Sequence, residues 1–155
     1  MATMERIVVG GDYTPAGTAA LRWAVDKAAQ TGACVAVVHA FDVAGRADLA
    51  LERDLDRARR DARYRTQSWV VEVLGDLDTS VPVIASTPDG SVEQELVAAA
   101  RRAQMVVIGQ PQDGHHRDLA AALSRTSACP VVTVALDEVA HVVCTAPKES
   151  SVADR

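Results

Sequence analysis

A chain of 155 residues, 48% apolar and 24% charged, is long enough for one substantial core and has the composition of a soluble globular domain. Its net charge of −5 and pI near 5.3 exclude general attraction to DNA or to an anionic membrane surface. Aromatic residues are few, so the core has to be built from Val, Ala, Leu and Ile, and lysine-dependent chemistry has only Lys27 and Lys148 to draw on.

The first apolar run, Ile7-Val8-Val9-Gly10-Gly11, reads as a buried strand closed by glycines. Thr14 and Pro15 supply an N-cap and a first helical residue. The helix they open carries Leu21, Ala24, Val25, Ala28 and Ala29 on one stripe, with Gly32 as its stop. Cys34 to Ala40 is a second buried strand, and a strand, helix and strand with short links make a right-handed βαβ unit. From about Asp48 to Leu74 the period is helical, with Leu51, Leu55, Ala58, Ala62, Trp69 and Val73 forming an apolar seam. Charges alternate in sign there, with Asp56–Arg60 and Asp61–Arg65 four residues apart. The segment therefore reads as a solvated helix face, not a basic stripe.

Val81 to Ser86 is a third strand, and Pro82, which cannot donate to a ladder, places it at a sheet edge. Pro88-Asp89-Gly90 makes a turn. Ser91 and Gln94 fit a capping box, and the helix they open runs to about Arg102 with Leu96, Ala100 and Ala103 facing in. Met105 to Gly109 is the fourth strand. A short helix from about Asp118 turns Leu119, Ala122, Leu123 and Thr126 inward and ends at Cys129-Pro130; Val131 to Ala135 is the fifth strand. The alternation implies an α/β fold, a single open five-stranded parallel sheet with helices on both faces, over residues 1–136. Residues 137–155 form a C-terminal extension that offers a sixth strand at 139–144 ahead of a disordered polar tail.

Cys34, Cys129 and Cys144 are odd in number and widely spaced, which suits free buried thiols in a reducing compartment. The start has no signal-peptide core and no apolar run reaches membrane-spanning length, so a cytoplasmic location is expected. Asp113, His115, His116 and Asp118 could be collected into a metal cluster, but adjacent histidines point apart and no ligand spacing supports it. His39 reads as a hydrogen-bonded core residue and Cys129 as a packed thiol. A dinucleotide enzyme would need G-x-G-x-x-G after the first strand, where Gly10-Gly11-Asp12-Tyr13-Thr14-Pro15 stands instead. A receiver domain would need an acidic pair, a phosphorylatable aspartate and a lysine at strand ends, of which only Asp12 is present. An ATP pyrophosphatase would need a Ser-Gly-Gly-x-Asp-Ser loop, which is also missing. No catalytic or metal residue is assigned.

In an open sheet of this kind a ligand lies beyond the carboxyl ends of the strands, where the winding reverses. Gly10-Gly11-Asp12 ends the first strand and Gly109 the fourth. In the strand order 3-2-1-4-5 both border one crevice, with Asp12 at its floor.

These segments resemble the universal stress proteins from about Arg6 to Ala135. The resemblance is carried by Ile-Val-Val-Gly-Gly-Asp-Tyr-Thr-Pro (7–15), Ala-Leu-Arg-Trp-Ala (20–24), Val-Val-His-Ala-Phe (37–41), Pro-Asp-Gly-Ser (88–91), Val-Val-Ile-Gly (106–109) and Cys-Pro-Val-Val-Thr-Val (129–134). It implies the 3-2-1-4-5 sheet, a homodimer joined through the fifth strands and, in one branch of the family, ATP in the crevice. That branch wraps the phosphates with Gly-x-x-Gly, a further loop and Gly-Ser or Gly-Thr. Gly109 matches the first glycine, Gln112 stands at the second with Gly114 two residues on, and Arg117-Asp118 replace Gly-Ser in a loop about five residues shorter than the family norm. Asp118 would cap the last helix with its own carboxylate and repel phosphate.

The expectation is a non-enzymatic stress-response binding or regulatory domain with weak or absent ATP binding. Its adenosine side is kept at Asp12 and Ala40. The alternative is an ATP- or AMP-binding member that uses Asp12, Gly109 and Gly114 in a non-standard loop.

Overall fold

The computed structural model describes residues 4–42, 52–75, 80–110, 117–137 and 139–144. In chain order the elements are β1 (Arg6–Gly10), α1 (Pro15–Thr31), β2 (Cys34–Val38), α2 (Glu52–Leu74), β3 (Val83–Ser86), α3 (Val92–Ala100), β4 (Met105–Gly109), α4 (Arg117–Thr126), β5 (Val131–Val134) and β6 (Ala140–Cys144). They build one six-stranded sheet in the order β3-β2-β1-β4-β5-β6. β1 to β5 are parallel, and β6 returns antiparallel along β5. The expected parallel core and the sixth strand are both present.

Local chemistry explains the boundaries. Thr14 Oγ1 accepts from the Gly17 N–H at 2.9 Å and caps α1. Gly32 closes it at φ 80°, a left-handed conformation that glycine adopts without a steric cost, and its N–H returns to the Ala28 carbonyl. Ser91 Oγ caps α3 by accepting from the Gln94 N–H at 3.2 Å.

Because right-handed crossovers change direction at β1, α1 and α2 cover one sheet face while α3 and α4 cover the other. Under α1 and α2 lie Ile7, Val9, Val35, Val37 and Val107, packed by the alanines of α1 and by Trp69. Under α3 and α4 lie Val8, Val106, Ile108 and Val131 with Leu96 and Leu123.

Several expectations are corrected. Ala29 and Thr126 are exposed. Ala29 lies one residue past the buried Ala28, about 100° further round the helix, and Thr126 sits in the last turn of α4, its hydroxyl donating to the Ala122 carbonyl at 2.8 Å. On α2 only Thr66, Trp69, Val70 and Val73 are buried, whereas Leu55, Ala58 and Ala62 are half-exposed, so only the C-terminal half of the seam reaches the core. Asp56 pairs with Arg59 rather than Arg60, and Arg65 turns to the Tyr13 ring. β2 stops at Val38, β3 begins at Val83 and α3 ends at Ala100.

The fifth strand is also not an open edge. With β4 on one side and β6 on the other, its main chain has no free side for the family-type dimer joint. The expected start of the second helix near Asp48, the loop holding Asp113, Gly114, His115 and His116, the Asp118 side chain and the tail after Cys144 lie outside the described residues. Among the described residues no helix is long and apolar enough to cross a membrane.

Candidate functional site

β1 gives way at Gly10 to the turn Gly11-Asp12-Tyr13, which leads into α1. The Gly11 N–H still donates to the Val38 carbonyl at 2.9 Å and pins that turn to β2. On the other side Gln110 N–H donates to the Val134 carbonyl at 2.8 Å as β4 ends. α1 follows β1 on one face of the sheet, α4 lies on the other, and the gap between the ends of β1 and β4 is the switch point of the sheet. It holds a cavity of about 120 Å³. Gly10, Gly11, Asp12, His39, Ala40 and Gly109 form its floor and rim, and Val92, Leu96, Ile108 and Leu119 give it an apolar wall.

Asp12 orders the entry to α1. Its Oδ1 accepts from the Thr14 N–H at 3.1 Å and from the Thr14 hydroxyl at 2.7 Å. Its Oδ2 has no partner among the described residues. The carboxylate thus stands near the positive end of α1, where an anion of a ligand would otherwise be favoured. Gly17 makes the arrangement possible, because a Cβ there would collide with Asp12 Oδ1.

Tyr13 adopts φ 65°, the one positive φ outside glycine among the described residues. Such a backbone costs of order 1–3 kcal/mol and persists only where its surroundings hold it. The Tyr13 ring stacks on His39 with centroids 4.6 Å apart and meets Trp69 edge-on at 5.6 Å. The Arg65 guanidinium lies 4.7 Å above the same ring. Thr66 Oγ1 donates to the Ala62 carbonyl, so it accepts from the Tyr13 hydroxyl at 2.6 Å. His39 Nδ1 lies 2.6 Å from the Gly11 carbonyl, which can only accept; Nδ1 therefore carries the proton. The chain from α2 through Tyr13 and His39 to Gly11 holds the floor of the crevice in place.

Ala40 is placed by the strands beside it. His39 N–H donates to the Ser86 carbonyl at 3.0 Å and Phe41 N–H to the Pro88 carbonyl at 2.7 Å. In an extended segment the next residue's amide and carbonyl face the opposite side. For Ala40 that side is the crevice, because β1 has already ended, and neither group has a partner among the described residues. Asp89 extends this edge and is clasped by Arg59, with Nη2 2.6 Å from Oδ2. The hydrogen bond from Arg59 holds the Asp89 carboxyl below its ordinary value. Elsewhere, burial pushes the Cys129 thiol up, an effect opposed by its hydrogen bond with Ser127. This fits a packed residue rather than a nucleophile.

Of the expected site residues, Asp12, Ala40 and Gly109 do meet at one crevice, while Gly114 lies outside the described residues. Sequence reasoning read His39 as a hydrogen-bonded residue, which its contact with Gly11 bears out, but placed neither it nor the wall residues Val92, Leu96, Ile108 and Leu119 at the crevice. Their signal was positional: Val92 opens α3 and Leu119 lies in the first turn of α4, and both helix starts fall at the carboxyl end of the sheet. Among the described residues no group of three metal-ligating side chains is found.

Sheet order and strand-end crevice together define an open, doubly wound α/β domain with a crevice at its switch point. The universal stress protein family profile matches residues 3–135, and the chain belongs to that family. Among solved structures, a universal stress family protein from Burkholderia pseudomallei aligns at TM-score 0.64 and 22% identity, covering 84% of this chain and 95% of that one. The universal stress protein from Archaeoglobus fulgidus in complex with dAMP aligns at TM-score 0.61 and 22% identity over 86% and 98% of the two chains. A family protein from Arabidopsis thaliana with AMP bound aligns at TM-score 0.56 and 16% identity over 84% and 91%. No curated protein sequence matches this chain.

Proposed function

We propose that this protein is a non-enzymatic, cytoplasmic stress-response binding domain whose crevice takes the adenine end of a mononucleotide and gives a triphosphate no further hold. The observation that carries this reading is Ala40. Its N–H and C=O, open toward the crevice, offer the donor and acceptor pair that complements the Watson–Crick edge of adenine. The apolar wall suits one face of the base, and Asp12 Oδ2 suits a ribose hydroxyl. A cavity of about 120 Å³ is well below the roughly 300–1,000 Å³ of pockets that enclose a whole drug-sized ligand. It fits one ring system and leaves phosphates outside. Relatives from A. fulgidus and A. thaliana have been solved with dAMP and AMP respectively.

Binding rather than catalysis is favoured because the polar groups at the floor are already engaged: Asp12 Oδ1 by Thr14, and His39 Nδ1 by Gly11. The weak hold on a triphosphate is favoured by Gln112 and Arg117-Asp118 in place of the family's phosphate-loop residues.

Calorimetric titration with AMP, ATP and cyclic AMP tests the reading. A phosphate cradle would add charge-assisted hydrogen bonds worth roughly tenfold or more each, so AMP and ATP are expected to bind with similar affinity. Micromolar ATP binding with AMP far weaker would overturn it in favour of a non-standard phosphate loop. The same reading takes the protein as a homodimer, joined edge to edge through β6 because β5 is flanked on both sides.

A further inference from the structure

Glu95, Ala98, Ala99 and Arg102 recur at i, i+3, i+4 and i+7, so they share one face of α3 and of the turn that ends it. That face walls a groove of about 450 Å³. The two alanines are short and leave the groove open between a basic end and an acidic one. A helical rise of 1.5 Å per residue sets Glu95 and Arg102 about 10 Å apart along the axis, and no ion pair joins them.

The basic end holds Arg6, Arg101 and Arg102, whose backbone is fixed by three sets of hydrogen bonds. Arg6 opens β1 beside Cys34 of β2, and its carbonyl accepts from the Gln104 N–H at 2.7 Å. α3 tightens as it ends: Arg101 N–H donates to the Ala98 carbonyl at 3.4 Å and Arg102 N–H to the Ala99 carbonyl at 3.2 Å. Two arginines at a helix carboxyl end are favoured there with or without a ligand. Arg6 has no such reason, since it stands on a strand, on the same sheet face as the buried Val8. None of the three makes an ion pair among the described residues, on a protein whose net charge is −5. Toward the other end lie Ser86 and Glu95, with Glu95 packed against Gly90.

The geometry points to a second small-molecule site, for a phosphorylated polyol of the sugar phosphate class: phosphate on Arg6, Arg101 and Arg102, hydroxyls at Glu95 and Ser86. Three guanidiniums suit a doubly charged phosphate better than a single carboxylate. Glu95 accepts and the Ser86 hydroxyl both donates and accepts, which matches ligand hydroxyls, whereas Glu95 repels a second anionic group. The volume of about 450 Å³ falls within the roughly 300–1,000 Å³ of small-molecule sites. Val38 borders both this groove and the crevice, but Val92 at the amino end of α3 lines the crevice while the arginines stand at its carboxyl end. The phosphate subsite does not depend on the crevice being occupied.

Glucose 6-phosphate is the probe, titrated into the full chain at about 0.15 M salt, where attraction between exposed charges is largely screened, and followed by amide NMR shifts. Saturable shifts are expected at Ala99, Arg101, Arg102 and Gln104. Inorganic phosphate should shift the same amides with lower affinity, and glucose should shift none. Affinity for glucose 6-phosphate should fall roughly tenfold or more in the exposed triple variant Arg6→Gln, Arg101→Gln, Arg102→Gln, because each charged hydrogen bond lost is worth about that much. Glu95→Gln should reduce the advantage of glucose 6-phosphate over inorganic phosphate and leave phosphate itself bound. No saturable response, equal shifts from sulfate and chloride, shifts confined to Gly11, Ala40 and Gly109 of the crevice, or indifference to the triple variant would overturn the proposal. An unchanged preference in Glu95→Gln would overturn its hydroxyl end.

Discussion

Gly109, the last residue of β4, lies against Ala16 in the first turn of α1: a Cβ at position 109 would stand 2.6 Å from the Ala16 carbonyl carbon and 2.7 Å from the Gly17 nitrogen. Those are backbone atoms, which cannot swing aside as a side chain would. A glycine expected on sequence grounds to face a ligand is therefore also demanded by helix–strand packing. Gly109→Ala is expected to lower stability by about 1–3 kcal/mol, as overpacking does. A urea melt should show a lower midpoint at unchanged slope. An unaltered midpoint with lost nucleotide affinity would mean that the glycine serves the ligand alone.

The two glycines at the start of this site are constrained differently. At Gly17 the neighbour is the Asp12 carboxylate, so Gly17→Ala should push Asp12 out of its turn. Asp12→Ala removes the same acceptor for the Thr14 N–H and hydroxyl. The two substitutions should each weaken AMP binding, and the double variant should be no worse than Asp12→Ala alone. Additive losses in a double-mutant cycle would show that Gly17 acts by another route.

Local chemistry was legible and long-range chemistry was not. Thr14, Gly32 and Ser91 announce their caps because capping joins residues three or four apart. The strand order follows from the alternation of elements and the handedness of crossovers. Tyr13 could not be read as a left-handed residue, since only contacts from residues at 39, 65, 66 and 69 hold it there. Arg59–Asp89 joins residues thirty apart in sequence, whereas sequence spacing suggested an Asp56–Arg60 pair. Gly109 was read as the end of the fourth strand, where it stands, but its packing against α1 depends on how closely that helix approaches the sheet. Ala29 shows the limit of periodicity: the stripe was recognised and its width was overestimated by one residue.

Tyr13→Phe keeps the stack on His39 and removes the hydroxyl that Thr66 accepts. The loss should be about 0.5–1.5 kcal/mol, and the melting temperature of a chain this size should drop by roughly 2–4 °C per kcal/mol. Calorimetry of Tyr13→Phe and Thr66→Val separates the two roles. If Thr66→Val is fully destabilising while Tyr13→Phe is silent, the hydroxyl contact does not support the positive-φ turn.

The Arg59–Asp89 clasp has a defined acid dependence. The guanidinium hydrogen bond lowers the Asp89 carboxyl below its ordinary value of 3.8. Its stabilising contribution is therefore fully present above that value and is lost as pH falls through the lower, folded one. Both side chains are about half-exposed or more accessible than a core pair, so the effect on global stability is small. An NMR titration of the Asp89 carboxyl should show the depressed midpoint, and Arg59→Gln should return it toward the ordinary aspartate range. A midpoint unmoved by Arg59→Gln would assign the depression to something else.

At the far edge of the sheet, β6 carries Val142 and Val143 at 62% and 42% exposure. An edge strand with apolar residues on both faces is a pairing surface, and natural sheets usually blunt such edges with charge. Antiparallel pairing of two β6 strands about a two-fold axis would use the same residues from both copies, as an isologous joint requires. The full chain is therefore expected to sediment as a dimer, and Val142→Lys, which places a charge on the exposed face without touching the core, should shift it to monomer with the circular dichroism unchanged. A dimer that survives Val142→Lys would place the joint elsewhere, and a monomeric parent chain would leave β6 as a cover for β5 alone. Both outcomes are decided by physical position: β6 blocks the family-type contact through β5 and presents the only main-chain edge on that side of the described sheet.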